Sequence, residues 1–249
     1  MRHVRRSLLL AFAAASLFPA WAAAQAVAPP AKPGTGPEAT ITPVPRDAKW
    51  LKRHEQINGR AVPGEVELLF IGDSITQGWE GAGKAAWEKF YGSRKAMNAG
   101  IGGDRTQHVL WRLDNGNIKG IAPKVAVVMI GTNNAKSDAP GDTAAGIEAI
   151  VKKLREKLPQ TKILLLAVFP RGATPDDALR TKNTAVNEAI AKLDDGEQVF
   201  FLDIGPKFLT ADGTLDKAIM PDLLHLSPRG YEIWAESIEP KLTELLGAK

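Results

Sequence analysis

The sequence contains no cysteine, and this absence excludes several kinds of chemistry. A chain of 249 residues without cysteine can form no disulfide, offers no thiol nucleophile and has no cysteine-ligated metal site. Blocks of like charge are also absent. Of the 32 basic and 28 acidic residues, three arginines and no acid fall within residues 1–24, so the remaining chain has a formal net charge of only +1. This balance gives no reason to expect nucleic acid or an anionic membrane as a partner.

The first 24 residues have the pattern of a secretory signal peptide. The basic segment Met1–Arg6 precedes an apolar stretch from Leu8 to Phe18, and small residues follow up to Ala24. The apolar stretch is too short to span a bilayer comfortably, which argues against the alternative of a membrane anchor. Cleavage after Ala24 leaves no stable membrane insertion. We therefore expect export, either to the periplasm or out of the cell.

Residues 25–46 are rich in proline and alanine and poor in large apolar side chains. Such a segment cannot bury enough surface to offset its ordering entropy, so we predict a flexible or extended linker. The sequence shows no internal repeat and no second linker. The expected organisation is a signal peptide at 1–24, a linker at 25–46 and one folded domain at 47–249, which is long enough to build its own core.

The alternation of apolar runs with amphipathic segments indicates the fold. Short apolar runs, typical of buried parallel strands, occur at Val66–Ile71, Lys95–Asn98 (the weakest), Val125–Ile130, Ile163–Phe169 and Val199–Ile204. Segments with helical spacing occur at Asp142–Leu158, Ala178–Leu193 and Arg229–Leu246. This order predicts an α/β protein, a three-layer α/β/α sandwich with a mostly parallel five-stranded sheet. Right-handed crossovers place the loops that follow the strands at one edge of the sheet.

Residues suited to acyl transfer occupy these loops. Ser74 follows the first strand in the turn Gly72-Asp73-Ser74, and Asp222 stands three residues before His225 near the C-terminus. A serine hydroxyl needs a neighbouring base, usually histidine, to act as a nucleophile. A carboxylate holds that histidine in the required tautomer, and a single turn of chain could bring Asp222 to His225.

The oxyanion that forms during acyl transfer needs preorganised hydrogen-bond donors. The backbone N–H groups of Ser74 and Gly103 and the side-chain amide of Asn133 could supply three. Glycine at position 103 matters because bare backbone can approach a substrate closely. Loss of one such donor typically lowers the rate about 100- to 1000-fold.

Each of these residues also has a purely structural interpretation. Ser74 could cap a helix, Asn133 could close a turn, and His225 could be a hydrogen-bonded core residue. The other histidines in the predicted domain, His54 and His108, are weaker candidates for the base because they lie within segments of helical character.

Two other functions are compatible with parts of the sequence. Gly78–Lys84 fits most of a phosphate-binding loop, G-x-x-x-x-G-K. Ala85, however, stands where a serine or threonine would bind Mg²⁺, and the run begins several residues after the strand ends. The second alternative is a non-catalytic carbohydrate-binding module, which a full set of nucleophile, base and oxyanion donors disfavours.

Taken together, these blocks resemble the SGNH hydrolases, also called GDSL-type esterases. Gly72-Asp73-Ser74 is the first block, and the others are Gly100–Leu113 (GIGGDRTQHVLWRL), Ile130–Asn134 (IGTNN), Phe169–Gly172 (FPRG) and Asp222–Leu226 (DLLHL). The similarity is greatest to the catalytic subunits of the brain-type intracellular platelet-activating-factor acetylhydrolases. It spans the chain from about Glu65 to the C-terminus.

The resemblance implies a flavodoxin-like fold, with Ser74 as nucleophile, His225 as base and Asp222 as its partner. It also implies Gly103 and Asn133 as oxyanion donors, and neither a metal nor an organic cofactor.

Two departures from the family pattern bear on the substrate. Ile75 follows Ser74 where the family often has leucine, and the export signal contrasts with an intracellular subfamily. We expect hydrolysis of short-chain, acetyl-type esters of small molecules, including O-acetyl groups on carbohydrate. Ile75 and Leu224, next to the nucleophile and the base, are candidates for narrowing the acyl pocket. A lysophospholipase or thioesterase acting on lipid acyl esters is the alternative. The sequence does not distinguish a monomer from a homodimer.

Overall fold

The computed structural model describes residues 36–247. The predicted signal peptide and residues 25–35 of the predicted linker lie outside the described residues, as do residues 248 and 249. The five strands are β1 (Leu68–Gly72), β2 (Ala96–Gly100), β3 (Val125–Met129), β4 (Lys162–Leu166) and β5 (Val199–Leu202). The α-helices of this part are α1 (Pro37–Ile41), α2 (Ala48–Asn58), α3 (Ser74–Gln77), α4 (Lys84–Tyr91), α5 (Thr106–Asp114), α6 (Pro140–Lys157), α7 (Ala178–Ile190) and α8 (Pro228–Leu246). No helix within residues 36–247 is both long and apolar enough to cross a membrane.

The strands form one sheet in the order β2-β1-β3-β4-β5, and every neighbouring pair is parallel. This confirms the predicted parallel five-stranded sheet. The chain passes from β1 to β2 on one side and then crosses to β3 on the other side of β1. Open α/β sheets form a crevice at such a reversal, between the loops that follow the two strands. The loops after β1 and β3 carry Ser74 and Asn133, so the topology itself brings these residues to one place.

The sheet is covered on both faces, which explains the apolar runs in its strands. Alternate residues of β1 point to opposite faces. Leu69 and Ile71 pack with α2, α5, α6 and α7, whereas Leu68 and Phe70 pack with α4 and α8. Every residue of β1 is buried. A strand that is buried on both sides needs apolar residues at successive positions, and this is the pattern that the sequence shows.

Residues 36–46 differ from the predicted linker, because they pack against the domain. The side chain of Thr40 is fully buried. Its hydroxyl donates a hydrogen bond to the carbonyl oxygen of Asp142 (2.8 Å), and its own carbonyl oxygen accepts one from the hydroxyl of Thr106 (2.9 Å). Hydrogen bonds and one small buried side chain hold this stretch instead of large apolar residues, so its composition did not reveal it. The linker prediction is wrong for this stretch.

The fourth strand is shorter than predicted. The apolar run extends to Phe169, but β4 ends at Leu166. Beyond this point the side-chain amide of Asn187 accepts a hydrogen bond from the N–H of Val168 (2.7 Å) and donates one to its carbonyl oxygen (3.0 Å). A side chain of α7 therefore replaces the neighbouring strand as hydrogen-bond partner, and the apolar run continues as buried loop.

Candidate active site

Ser74 lies at the start of a short helix on the carboxyl edge of the sheet. β1 ends at Gly72, and Asp73 caps α3 by accepting a hydrogen bond from the N–H of Ile75 on Oδ1 (3.0 Å). The turn is tightly packed: a Cβ added at Gly72 would lie 2.4 Å from the carbonyl oxygen of Met129 on β3. Because the first N–H groups of a helix have no intrahelical acceptor, the N–H of Ser74 is available to a ligand.

Hydrogen bonds join Ser74, His225 and Asp222. The Oγ of Ser74 lies 2.8 Å from Nε2 of His225, and Nδ1 of the same ring lies 2.6 Å from Oδ2 of Asp222. An Nδ1–H that donates to the carboxylate leaves the Nε2 lone pair to accept the serine hydroxyl. The structure thus brings these three predicted site residues together, in an arrangement that can move a proton from a hydroxyl to an imidazole.

Hydrogen bonds within the loop that carries His225, and one to the segment after β4, fix the position of this loop. Oδ1 of Asp222 accepts hydrogen bonds from the N–H groups of Leu224 (3.1 Å) and His225 (2.7 Å). Leu223 adopts a positive φ of 61°, which is costly for a residue other than glycine. Its carbonyl oxygen accepts a hydrogen bond from the N–H of Gly172 (3.0 Å). The loop is therefore fixed to the segment that follows β4.

The charge of Asp222 is stabilised by these contacts. Partial burial acts to raise the pKa of its carboxyl, but hydrogen bonds from the His225 ring and backbone outweigh burial and lower the pKa. Asp222 therefore stays ionised and can stabilise a positive charge on the imidazole.

Gly102 and Gly103 form the loop that faces Ser74 from β2. Gly103 has a φ of +77°, a conformation that favours glycine. The Nη1 of Arg46 donates a hydrogen bond to the carbonyl oxygen of Gly102 (2.8 Å). Because the peptide bond is trans, the N–H of Gly103 points away from Arg46. This loop lies next to the nucleophile, since a Cβ added at Gly102 would be 3.7 Å from the Cβ of Ser74.

A buried ionic network lies beneath the glycine loop. Asp104 is completely buried and accepts hydrogen bonds from Nε1 of Trp50 (2.6 Å) and Nε of Arg112 (2.8 Å). Arg112, also completely buried, donates to the carbonyl oxygens of Ala99 (2.8 Å) and Gly72 (3.2 Å). The network therefore joins the carboxyl ends of β1 and β2. Sequence reasoning missed the role of these residues, although Arg112, between Trp111 and Leu113 of α5, was a visible signal.

Asn133 lies in the loop after β3, beside the same network. Its amide nitrogen donates a hydrogen bond to the backbone carbonyl oxygen of Asp104 (3.0 Å) and lies 3.5 Å from Oδ2 of Asp73. An amide carries two N–H groups, and these contacts place one on Asp104 and the other at the long limit of a hydrogen bond to Asp73. Asp73 is completely buried, and burial raises the pKa of its carboxyl to about 7, with the nearby charge of Asp104 acting in the same direction.

The competing candidates from the sequence have other roles in the structure. His54 is buried and its Nε2–H donates to the carbonyl oxygen of Asn115 (2.9 Å). Nδ1 of His108 accepts a hydrogen bond from the N–H of Arg105 (3.0 Å), and burial lowers the pKa of His108 to about 3. Both rings are therefore structural, as their helical context suggested.

The glycines of Gly78–Lys84 serve packing. A Cβ added at Gly78 would lie 1.9 Å from the hydroxyl of Tyr231, and this hydroxyl donates a hydrogen bond to the carbonyl oxygen of Ile75 (2.6 Å). The run forms a 3-10 helix (Gly78–Glu80) and a turn before α4. It therefore lacks the direct strand-to-loop connection of a phosphate-binding loop.

The two predicted acyl-pocket residues lie on the same side of the sheet. The side chain of Ile75 is buried, and Leu224 is partly buried against the same core cluster. The two residues are adjacent in sequence to Ser74 and His225. Their role in lining an acyl pocket remains a prediction.

Several known proteins are similar to this chain in sequence. A sequence model of the GDSL-like lipase/acylhydrolase family matches residues 70–233. Platelet-activating factor acetylhydrolase IB subunit alpha1 of Bos taurus is 40% identical over 207 residues, which cover 83% of this chain and 88% of that protein.

Two solved structures are similar in fold. A GDSL-like lipase from Bacteroides thetaiotaomicron superimposes with a TM-score of 0.64 at 21% identity, covering 78% of this chain and 97% of that chain. The acetylxylan esterase Axe2 from Geobacillus stearothermophilus superimposes with a TM-score of 0.57 at 19% identity, covering 76% of this chain and 97% of that chain.

Proposed function

Because this chain belongs to the GDSL-like lipase/acylhydrolase family and is an ester-hydrolysing enzyme, we propose that it cleaves short-chain acyl esters through Ser74, His225 and Asp222. The hydrogen-bonded series from the Ser74 hydroxyl through the His225 ring to the Asp222 carboxylate carries this proposal. The substrates are acetyl-type esters of small molecules, including O-acetyl groups on carbohydrate.

The reaction proceeds through an acyl-enzyme. Nε2 of His225 takes the proton as Ser74 attacks the ester carbonyl, and Asp222 stabilises the resulting imidazolium. His225 then returns the proton to the departing alcohol. A water molecule, activated by the same ring, releases the acid and restores Ser74.

Three donors stabilise the negative oxygen of the tetrahedral intermediate. They are the N–H of Ser74 at the start of α3, the N–H of Gly103 and the side-chain amide of Asn133, which would exchange its long contact with Asp73 for the oxyanion. These donors are supported by rigid elements, since Asn133 is bonded to the backbone of Asp104 and the glycine loop to Arg46. Donors that are already oriented need no reorganisation during the reaction, which is why they lower the barrier.

We expect a small acyl group, with Ile75 and Leu224 as the residues that would restrict the space beside Ser74 and His225. Two similar proteins are named for acetyl esters. One is the platelet-activating factor acetylhydrolase subunit, and the other is the acetylxylan esterase Axe2. The relatives named for platelet-activating factor also favour the second candidate function, hydrolysis of a lipid acyl ester by the same residues.

We also propose that the protein is exported to the periplasm or the extracellular space, because residues 1–24 have the pattern of a signal peptide. A substrate on carbohydrate outside the cytoplasm fits such a route. The three proposed catalytic residues need no metal or organic cofactor for acyl transfer.

The experiment compares the purified protein with its Ser74→Ala variant on p-nitrophenyl esters of increasing acyl length. We expect turnover of the acetate well above that of the decanoate, and a loss of at least about 1000-fold in kcat for Ser74→Ala. The exposed Ser93 supplies the matched control, Ser93→Ala, which should keep full activity. Turnover of acetylated xylo-oligosaccharides is then compared with turnover of lysophosphatidylcholine. This comparison distinguishes carbohydrate acetyl esters from lipid acyl esters as the substrate.

Two results would contradict the proposal. Full activity of Ser74→Ala, with unchanged thermal unfolding, would remove the serine from the mechanism. Equal turnover of acetate and decanoate would refute the short acyl pocket.

A further inference from the structure

A groove lined by basic residues lies beside the glycine loop. It has a volume of about 510 Å³ and is bounded by α2 on one side and by Gln77 and Gly102 on the other. Its cations are Arg46, Lys49, Lys52 and Arg53. Lys49, Lys52 and Arg53 are spaced i, i+3 and i+4 along α2, so they project from the same helix face. We call this cavity the basic groove.

The basic groove lies next to the segment that carries the nucleophile. Gln77, which belongs to the same short helix as Ser74, accepts a hydrogen bond from the N–H of Gly102 on Oε1 (2.7 Å). A Cβ added at Gly102 would lie 3.2 Å from this oxygen and 3.7 Å from the Cβ of Ser74. Gly102 therefore lines the groove and lies close to Ser74, so the groove is next to the site where the ester is cleaved.

The residues that line the groove include more cations than acids. Among residues 36–247, Asp47 is the only acidic residue that lines it. A hydrogen bond from the N–H of Trp50 lowers the pKa of the Asp47 carboxyl, with burial opposing and Arg46 supporting this shift. Asp104 and Glu80 lie just outside the lining and form ion pairs with Arg46 and Arg53. The excess positive charge of the groove therefore comes from Lys49 and Lys52 and is offset in part by Asp47.

Two of the cations are free to bind a ligand. Arg46 is bonded to the glycine loop, and Arg53 forms an ion pair with Glu80 (2.8 Å). Lys49 and Lys52 are exposed and form no ion pair with any residue of the described 36–247 range. Clefts lined by one sign of charge concentrate ligands of the opposite sign.

We propose that the basic groove binds a carboxylate or phosphate on the non-reacting part of the substrate, so that the preferred substrate is an anionic acyl ester. This inference rests on the proposed ester hydrolysis and names the chemical class of its substrate. An acetylated acidic sugar and an acylated glycerol phosphate share this chemistry. Lys49 and Lys52 provide the charge that selects them over neutral esters.

Matched substrate pairs test the proposal because they differ only in charge. Acetylated glucuronic acid is compared with acetylated glucuronamide, and acetylglycerol phosphate with acetylglycerol. We expect kcat/KM of the native protein to be about tenfold higher for the anionic member of at least one pair. The pair that shows the preference identifies the carboxylate or the phosphate as the ligand. High salt should reduce the ratio, because exposed charges are screened.

The double variant Lys49→Glu/Lys52→Glu should lower this ratio to about one or below. Its matched control is Lys119→Glu/Lys152→Glu, which changes the net charge equally at two exposed lysines that line other cavities. The control should keep the ratio of the native protein. A native ratio of one in both pairs, independent of salt, would overturn the proposal. So would equal loss of the ratio in both double variants.

A binding measurement separates this inference from the proposed reaction. Titration calorimetry of acetylglycerol phosphate and acetylated glucuronic acid into the Ser74→Ala variant requires no turnover. Binding to Ser74→Ala that is lost when Lys49→Glu and Lys52→Glu are added supports the groove as an anion site, even if neither ester is hydrolysed. If Ser74→Ala binds neither anion, the proposal is overturned.

Discussion

At the scale of single residues, Arg46 has an unexpected place in this molecule. It belongs to the stretch that was predicted as linker, yet its guanidinium bonds the carbonyl oxygen of Gly102 and lies 3.4 Å from Oδ1 of Asp104. The first contact orients the Gly102–Gly103 peptide. The second ties Arg46 to the buried network under the loop. One side chain from the start of the domain therefore sets the direction of a proposed oxyanion donor.

The variant Arg46→Ala should lower kcat on p-nitrophenyl acetate about tenfold, with little change in KM. The glycine loop remains but its N–H is less well aligned, so the effect should be smaller than complete loss of an oxyanion donor. A neutral ester is used so that the charge of the basic groove plays no part. Arg46→Lys, which can still donate to Gly102, should recover part of kcat.

Arg155→Ala is the control for Arg46→Ala, since Arg155 forms an ion pair with Asp195 on the surface (2.8 Å). It should leave kcat unchanged. An increase of KM alone in Arg46→Ala would show that the residue binds substrate and does not position the loop.

At the scale of elements, the site depends on how closely α3 approaches β2. A Cβ added at Gly100, the last residue of β2, would lie 2.2 Å from the backbone nitrogen of Gln77 in α3. Backbone cannot move aside as a flexible side chain can. This contact therefore places the helix that begins at Ser74 against the strand that leads into the glycine loop.

We expect Gly100→Ala to lower the free energy of unfolding by about 1–3 kcal/mol, the usual cost of overpacking. It should also reduce esterase activity, because α3 and Ser74 must shift. Gly141→Ala in α6 is the control, since a Cβ there meets nothing within 4 Å. It should raise stability by about 0.5–1 kcal/mol, as alanine favours a helix over glycine. Urea denaturation measures both, and equal stability of the two variants would refute the close contact.

At the scale of the whole molecule, the carboxyl group of Asp73 makes folding stability depend on pH. Its pKa is about 7 in the folded protein, mainly because of burial, and 3.8 as the reference value. The folded state therefore holds the proton more tightly than the unfolded chain. The stability linked to this group is fully present below pH about 4 and falls as the pH rises to about 7.

Asp73→Asn should remove this dependence while keeping the helix cap, since an asparagine oxygen can also accept from the N–H of Ile75. The variant should become more stable than the native protein as the pH rises from about 4 to 7, by up to about 4 kcal/mol. Urea unfolding at several pH values measures the difference. Glu156→Gln, at an exposed position of α6, should show no comparable trend. A constant difference between native protein and Asp73→Asn would contradict the raised pKa.

Local sequence was sufficient for the strands and for the residue types of the site. Strands such as β1 and β3 are buried on both faces, so they require continuous apolar runs that are visible without a structure. Ser74 could be named because it follows such a strand in a short turn, and Asp222 and His225 because they stand three residues apart near the C-terminus. Their hydrogen bonds are now observed, and their catalytic roles remain predictions.

Only the tertiary structure decided which distant residues support that site. Arg46 and Gly102 are 56 residues apart, and Trp50 and Asp104 are 54 apart. Periodicity along a chain reports which side of an element is buried, but it carries no information about which polar groups meet inside the fold. Contacts between distant residues determine the strand order, the buried charges behind the glycine loop and the packing of residues 36–46. A polar side chain gains its partner only when the elements that carry the two groups pack together.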